Sequence, residues 1–417
     1  MSNLRYLARS LAFLPPIVLL SGLLIVASCG KSPYSTSNSS TTASPTSTST
    51  ATGGGFAFVT NFSSGFITEF KRNISTGVLK YNTRIAAGAA SGPKGIAITS
   101  NNAFLYASNT KDDTIYQYTV GSDGTLTPMT PPSVPNGSGT APEQVVTLSI
   151  GGTPAWLFVA NSGTGSISAY PITSAGPLGK AFTSTPAGMN SPFGLAINAA
   201  GTILYVSDNQ QGVIYALAFN STSGALTNIT TGLPPSPVKS LGSITGFPGF
   251  LALGPLITGT IPGNYLLVGD TSQTTPVISL FFIASSGNGV PGFTTTATPT
   301  SFAAIGVAWA GSALALSANQ NTTGDTAAGS INSYTLSSNA LSNSSNVLEV
   351  NGPTDIIVDS QVANAYSTDQ GDGTISQYQF NIVCQSGGTV QTICRTATLP
   401  SDPKISNPGP FGMVLTN

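Results

Sequence analysis

A repeating unit of about 50 residues constrains the fold of this chain more than any other feature of its sequence. Its clearest copies contain a short apolar strand, a second strand closed by Asn or Asp, a third strand resembling I-x-x-Y, and a glycine turn before a last strand. The closing polar residue recurs at Asn61, Asn109, Asn161, Asn209, Asp270, Asn319 and Asp369, at intervals of 48, 52, 48, 61, 49 and 50 residues. Seven such units, each able to form four strands, predict an all-β, seven-bladed β-propeller of four-stranded antiparallel blades.

The two ends of the repeat region predict how the ring closes. The first unit begins at Phe56 with a second-strand motif, and no first-strand motif precedes it. The sequence ends in the first-strand motif PFGMVL, residues 410–415, followed by two residues. We therefore expect the C-terminal strand to complete the N-terminal blade, because an open array would leave a sheet edge exposed.

The N-terminal residues predict export and lipid attachment. Arg5 and Arg9 precede a run of apolar and small residues that ends in Val-Ala-Ser-Cys at positions 26–29. This run resembles the lipobox of bacterial lipoproteins, and the resemblance implies a signal peptide over residues 1–28 and lipidation of Cys29. Gly30 follows Cys29 where Asp would signal inner-membrane retention, so the resemblance favours the outer membrane.

The predicted domain organisation follows from these segments. Residues 29–55 contain the lipidated Cys and a Ser/Thr-rich segment with little apolar surface, which predicts a disordered tether. Residues 56–417 form the predicted propeller. We expect a lipid-anchored, monomeric, extracytoplasmic protein, and the face of the outer membrane on which it sits stays open.

The composition argues against several classes of function. Only 6% of the residues are charged, the net charge is −1, and there is no histidine. This composition provides no basic surface for nucleic acid, and it lacks the commonest acid-base residue and metal ligand. Cys384 and Cys394 flank a Gly-Gly turn, which predicts a disulfide in an exported protein. We expect no metal and no cofactor, since two cysteines without histidine do not complete a zinc site.

The repeat motifs LYASN, LFVAN and LYVSD, followed by I-x-x-Y and T-G-x-L patterns, resemble those of a known family. They are similar to the YVTN and lactonase-type seven-bladed propellers, which include 6-phosphogluconolactonase-like and muconate-cyclising proteins. The resemblance covers residues 56–417 and implies the fold, because these are strand and turn motifs. The muconate-cyclising relatives use a histidine at the channel mouth, and this chain has none.

Candidate site residues lie where the innermost strands begin, which is where propeller pockets usually form. Lys94, Glu143 and Asp355 are the charged residues there. Glu143 could act as a general base and Lys94 as an electrostatic stabiliser, or these charges could form a structural ion pair or stay solvated. Phe193 and Phe411 could line an apolar mouth or serve packing alone.

Two functions remain open at this point. The first is a binding or scaffold module for a small-molecule, glycan or protein ligand. The second is a diverged lactonase-like hydrolase acting on a small lactone or sugar acid, which the family resemblance implies. A channel mouth that brings two carboxylates, or a carboxylate and a lysine, within hydrogen-bond reach would favour the hydrolase.

Overall fold

The structure, a computed structural model, describes most of the predicted propeller. The described residues are 55–88, 92–229, 238–239, 247–257, 263–271, 277–285, 289–297, 302–321, 329–386, 389–406 and 408–416. The predicted signal peptide, Cys29 and nearly all of the predicted tether lie outside them. Over these ranges no helix is long and apolar enough to span a membrane.

The described strands form seven antiparallel sheets, six of four strands and one with a short fifth strand. Blades 1 and 2 consist of β29 (Pro410–Leu415), β1 (Gly55–Asn61), β2 (Phe66–Arg72) and β3 (Leu79–Ala86), and of β4 (Pro93–Ile98), β5 (Phe104–Asn109), β6 (Thr114–Val120) and β7 (Leu126–Pro135). Blades 3 and 4 consist of β8 (Pro142–Ile150), β9 (Thr153–Asn161), β10 (Ser166–Pro171) and β11 (Phe182–Ser184), and of β12 (Pro192–Ile197), β13 (Ile203–Asp208), β14 (Val213–Phe219), β15 (Leu226–Asn228) and β16 (Val238–Lys239).

The remaining three blades follow the same order. Blades 5 and 6 consist of β17 (Pro248–Ile257), β18 (Gly263–Asp270), β19 (Ile278–Ala284) and β20 (Gly292–Ala297), and of β21 (Ala303–Ala310), β22 (Leu314–Gln320), β23 (Gly329–Ser337) and β24 (Ala340–Glu349). Blade 7 consists of β25 (Pro353–Val358), β26 (Asn364–Asp369), β27 (Thr374–Ser386) and β28 (Thr389–Pro400).

The predicted seven-bladed fold and its closure are confirmed. The C-terminal β29 pairs antiparallel with β1, with Ala57 opposite Leu415 and Val59 opposite Met413. The first strand of each blade, called here the inner strand, contacts the inner strands of the two neighbouring blades, in the order β29, β4, β8, β12, β17, β21, β25 and back to β29. Apolar side chains fill the space between successive blades, so the core is a ring of seven inter-blade clusters.

The tyrosine of the L-Y-x-S motif explains how one blade holds the next at the outer side. Its ring is buried between blades, and its hydroxyl donates a hydrogen bond to the carbonyl of the glycine turn in the following blade. The pairs are Tyr106 with Gly176 (2.6 Å) and Tyr205 with Gly289 (2.8 Å). Tyr366, at the same position in the A-Y-S-T sequence of blade 7, pairs with Gly77 (2.6 Å).

The serine of the same motif holds the inner strands together. The N–H of Gly95 donates to Ser108 Oγ (2.9 Å), and that hydroxyl donates to the carbonyl of Glu143 in the next blade (2.6 Å). Thr60 plays the same part in blade 1 and donates to the carbonyl of Lys94 (2.8 Å). These bonds fix the backbone of Lys94 and Glu143, the two charged residues predicted at the mouth.

The polar residues that close the second strands are buried and act within the fold, and one of them was predicted at the wrong position. In blade 4 the closing residue is Asp208, which is fully buried, and not Asn209. The Asp208 carboxylate accepts the N–H groups of Asn190 (2.6 Å) and Ser191 (3.2 Å). An ionised carboxylate only accepts hydrogen bonds, which suits these two N–H donors. Asn209 lies just after the end of the strand.

Candidate functional site

The start of every inner strand has the same construction. In six blades it is a proline opposite the buried Asn or Asp that closes the second strand, and in blade 6 Ala304 takes that place opposite Asn319. A β-bulge follows in all seven blades. A bulge changes the direction of the side chains beside it, which makes this level of the ring the natural place for a site.

Glycine at the second position after the proline allows the inner strands to approach closely. A Cβ added to Gly95 would lie 2.3 Å from the carbonyl oxygen of Glu143 in the next blade. Three blades carry a side chain at this second position instead, namely Gln144, Phe250 and Asp355. These three blades therefore place a side chain at a position where the other four blades have only backbone.

The inner strands of all seven blades surround one central cavity of about 600 Å³. Lys94, Asp355, Phe250 and Phe411 belong to its wall near the start of the inner strands. We call this level of the cavity the mouth. A volume of this size suits a small organic molecule.

Lys94 and Glu143 are brought together at the mouth. The Lys94 ammonium forms an ion pair with Glu143 Oε2, and Ser162 Oγ donates to Glu143 Oε1 (3.2 Å). Only 17% of the Lys94 side chain and 11% of the Glu143 side chain are exposed. A carboxylate and a lysine thus lie within hydrogen-bond reach at the mouth, and the partial burial of this ion pair makes it electrostatically stronger than a surface pair.

Aromatic rings surround the same ammonium. Lys94 Nζ lies 5.3 Å from the centre of the Phe193 ring and 4.8 Å from that of Phe411, within the range of a cation–π contact. Phe250 packs on both rings, at 5.1 Å from Phe193 and 6.1 Å from Phe411. Lys94, Glu143, Phe193, Phe250 and Phe411 are called the mouth cluster.

Phe250 is the member of the mouth cluster that sequence reasoning missed. The clear repeats read Pro-Lys-Gly and Pro-Phe-Gly, whereas blade 5 reads Pro-Gly-Phe from residue 248 to residue 250. Aligning Pro248 with Pro192 in the repeat would have placed Phe250 on the inner strand, one position later than Phe193.

Asp355 lies in blade 7 and lines the cavity apart from the ion pair. Its Oδ1 accepts the N–H of Ile356 (2.9 Å), and its Oδ2 accepts the N–H of Met413 in blade 1 (3.3 Å). Burial among the inner strands raises the pKa of Asp355 to about 6, against the lowering effect of these two N–H donors. Its side chain is still partly exposed to the cavity.

The equivalent residue in blade 3 shows what is distinctive about Asp355. Gln144 Oε1 accepts the N–H of Leu195 in blade 4, so an amide makes the same inter-blade contact there. The contact therefore does not require a carboxylate. An acid with a pKa near neutrality on a cavity wall is a group suited to general base catalysis.

Two further expectations concern metal binding and the disulfide. Within the described ranges, no group of three or more His, Cys, Asp or Glu could hold a metal ion. Cys394 is buried and disulfide-bonded. The side chain of Cys384 lies outside the described residues, so its pairing with Cys394 stays a prediction.

Comparison with known proteins points to one family. The model of the family described as "Lactonase, 7-bladed beta-propeller" matches residues 27–140 and 147–239. No curated protein matches the sequence.

Solved structures of the same fold are numerous. A candidate 6-phosphogluconolactonase from Bacteroides fragilis superposes with a TM-score of 0.66 at 15% identity, covering 89% of this chain and 100% of that one. The periplasmic gluconolactonase of Pseudomonas aeruginosa gives a TM-score of 0.61 at 14% identity, covering 87% of this chain and 99% of that one. At these identities the similarity establishes the fold.

Proposed function

The chain belongs to the seven-bladed lactonase propeller family, and we propose that it hydrolyses a small lactone of low charge at the mouth of its central cavity. The observation that carries the proposal is the placement of Lys94, paired with Glu143, and of Asp355 with a pKa of about 6, on the wall of one cavity. This arrangement supplies a cation and a base to the same cavity.

The chemistry assigned to these groups is attack of water on the lactone carbonyl. Asp355 is ionised at neutral pH and takes a proton from the attacking water. The Lys94 ammonium stabilises the negative charge that develops on the carbonyl oxygen, and Glu143 holds that ammonium in place. The ring C–O bond then breaks, the leaving oxygen receives the proton, and the product is a hydroxy acid.

The charges of the mouth argue for a substrate without a phosphate group. The Lys94 charge is already balanced by Glu143. Arg72 and Arg84 are engaged elsewhere, in ion pairs with Asp359 (3.5 Å) and Asp402 (2.7 Å). A phosphorylated lactone needs a cluster of arginine or lysine for its phosphate, and no such cluster stands on the described wall of the cavity.

Turnover of lactones by the purified protein tests the proposal. An unphosphorylated sugar lactone, its phosphate ester and simple alkyl lactones are compared by acid release at constant pH. Asp355→Asn should lower turnover by about 10²–10⁴-fold, the usual contribution of a general base. It should fold, because the amide of Gln144 makes the equivalent contact.

A matched control separates the site from general charge effects. Lys94→Met should lower turnover strongly, whereas Lys80→Met, which removes an exposed lysine from β3 at the rim, should leave it unchanged. If no lactone is hydrolysed but calorimetry detects a bound glycan or sugar acid, the protein is a binding module and the hydrolase proposal is wrong.

The proposed setting is the cell envelope. The Val-Ala-Ser-Cys run supports lipid attachment at Cys29, and one protein of the same fold is by name periplasmic. Labelling cells with a fatty-acid probe tests this. The probe should label the wild-type protein and not Cys29→Ala, and equal labelling of the two would contradict the proposal.

A further inference from the structure

We infer that the lactone carries an apolar substituent, which occupies the central cavity below the mouth. This inference rests on the proposed function for the position of the lactone ring, and it adds the class of substrate. The substrate is then an alkyl-substituted lactone, held by its ring at the mouth and by its hydrocarbon part along the inner strands.

The side chains that line the cavity below the mouth are predominantly apolar. They come from six blades and are only partly buried, so each presents surface to the cavity as well as to its inter-blade cluster. They are Ile98, Val146, Leu253, Trp309, Val358 and Leu415. Removing such surface from water favours an apolar occupant.

Polar side chains on this part of the wall are few. Thr147 is one, and its hydroxyl already donates to the carbonyl of Ile98 (2.9 Å). The ring of Trp309 is apolar toward the cavity, because its indole N–H donates to the carbonyl of Ala252 (3.0 Å). A polyhydroxylated substituent would find few side-chain partners here, whereas an alkyl group needs none.

The dimensions of the cavity fit such a substituent. It extends along the inner strands from Phe411 at the mouth to Leu415, which is four residues further along β29. At about 3.3 Å per residue this distance is roughly 13 Å. The length matches an alkyl chain of medium length lying parallel to the inner strands.

A chain-length series measures the inference through turnover. γ-Lactones that differ only in an unbranched substituent, from methyl to octyl, are compared with a sugar lactone. The value of kcat/KM should rise roughly two- to fourfold for each added methylene. The upper value, about fourfold, corresponds to ~0.8 kcal/mol for each methylene that is fully buried. Hydrolysis that is independent of chain length, or that is fastest with the sugar lactone, overturns the inference and leaves the proposed hydrolase standing.

Tryptophan fluorescence provides a readout that does not depend on turnover. The chain has two tryptophans, and Trp156 is buried between blades 3 and 4 while Trp309 lines the cavity. In the variant Trp156→Phe, Trp309 is the single reporter. Added alkyl lactone should shift its emission to shorter wavelength, with saturation at lower concentration for longer chains. Absence of a shift at any chain length overturns the inference.

Two valine substitutions separate binding in the cavity from nonspecific binding. Val146→Asn places an amide on the cavity wall and should weaken the longest ligand about tenfold or more, whereas Val78→Asn changes a residue that is 54% exposed and should have no effect. A saturable, chain-length-dependent shift without hydrolysis of any lactone would refute the hydrolase and support the apolar cavity site. Equal binding to both variants would refute the site.

Discussion

Replacing Glu69 with glutamine should stabilise the propeller above neutral pH and remove a pH dependence that one buried acid creates. Glu69 lies on β2 and is 1% exposed, at the seam between blades 1 and 2. Its Oε1 accepts the N–H of Leu126 in blade 2 (3.1 Å), and its Oε2 has no hydrogen-bond partner among the described residues. A buried acceptor in this situation loses its hydration without replacement.

The same position in two other blades carries glutamine. Gln117 Oε1 accepts the N–H of Leu178 (2.9 Å), and its Nε2 donates to the carbonyl of Pro131 (2.6 Å). Gln377 Oε1 accepts the N–H of Leu79 (3.0 Å). An amide provides both an acceptor and a donor, which an ionised carboxylate cannot do, and a protonated Glu69 would resemble the amide.

The magnitude follows from the pKa. Burial raises the pKa of Glu69 from 4.5 to about 7, a rise that Asp123 adds to and the Leu126 N–H opposes. The folded protein therefore holds this proton more tightly than the unfolded chain. The contribution of Glu69 to stability is fully present below pH 4.5 and is lost as the pH rises through about 7. At ~1.4 kcal/mol per pKa unit, the difference between 4.5 and about 7 corresponds to a loss of about 3.4 kcal/mol. Relaxation of the seam around the charged carboxylate reduces this to about 2 kcal/mol.

Thermal melts of wild type and variant at acidic and alkaline pH measure the effect. Glu69→Gln should raise Tm by roughly 3 °C above neutral pH and by little below pH 4.5, for a domain of this size. The mirror variant Gln117→Glu should lower Tm above neutral pH by a similar amount. If Glu69→Gln melts in parallel with wild type across this range, the buried acid is ionised or compensated, and the argument is wrong.

Three further predictions concern the architecture. Tyr106→Phe should cost about 1 kcal/mol of unfolding free energy, because its hydroxyl donates to Gly176 O, and unchanged denaturant midpoints would contradict this. Deletion of residues 409–417 removes β29 and should cause aggregation or a large fall in Tm, whereas a variant that melts like wild type would contradict ring closure. Cys384 and Cys394 should resist alkylation until a reductant is added, because their sulfur atoms are joined, and the disulfide should contribute roughly 2–3 kcal/mol to stability. Alkylation of both cysteines without reductant, measured by intact mass, would contradict the pairing.

The fold could be predicted from the sequence because the blades repeat the same strand motifs and inter-blade hydrogen bonds. The tyrosine and serine of L-Y-x-S make the same inter-blade hydrogen bonds wherever they occur, as at Tyr106 and Ser108. The closing position in blade 4 was misplaced because Asp208 and Asn209 are both polar, and only the strand register shows that Asp208 is buried.

The candidate site was predictable in its positions but not in its contacts. The first residues of the inner strands were identified from the repeat, which gave Lys94, Glu143, Phe193, Asp355 and Phe411. Their contacts depend on pairing between blades far apart in the sequence, which a one-dimensional pattern does not contain. The raised pKa of Asp355 depends in the same way on burial by other blades.

The pH dependence of lactone hydrolysis tests the central proposal most directly. If Asp355 is the general base, kcat/KM for the best lactone should rise with an apparent pKa of about 6 and level off above it. The rise should disappear in Asp355→Asn, together with most of the activity. A profile without this inflection, or a wild-type profile in Asp355→Asn, would contradict the assignment of catalysis to the channel mouth.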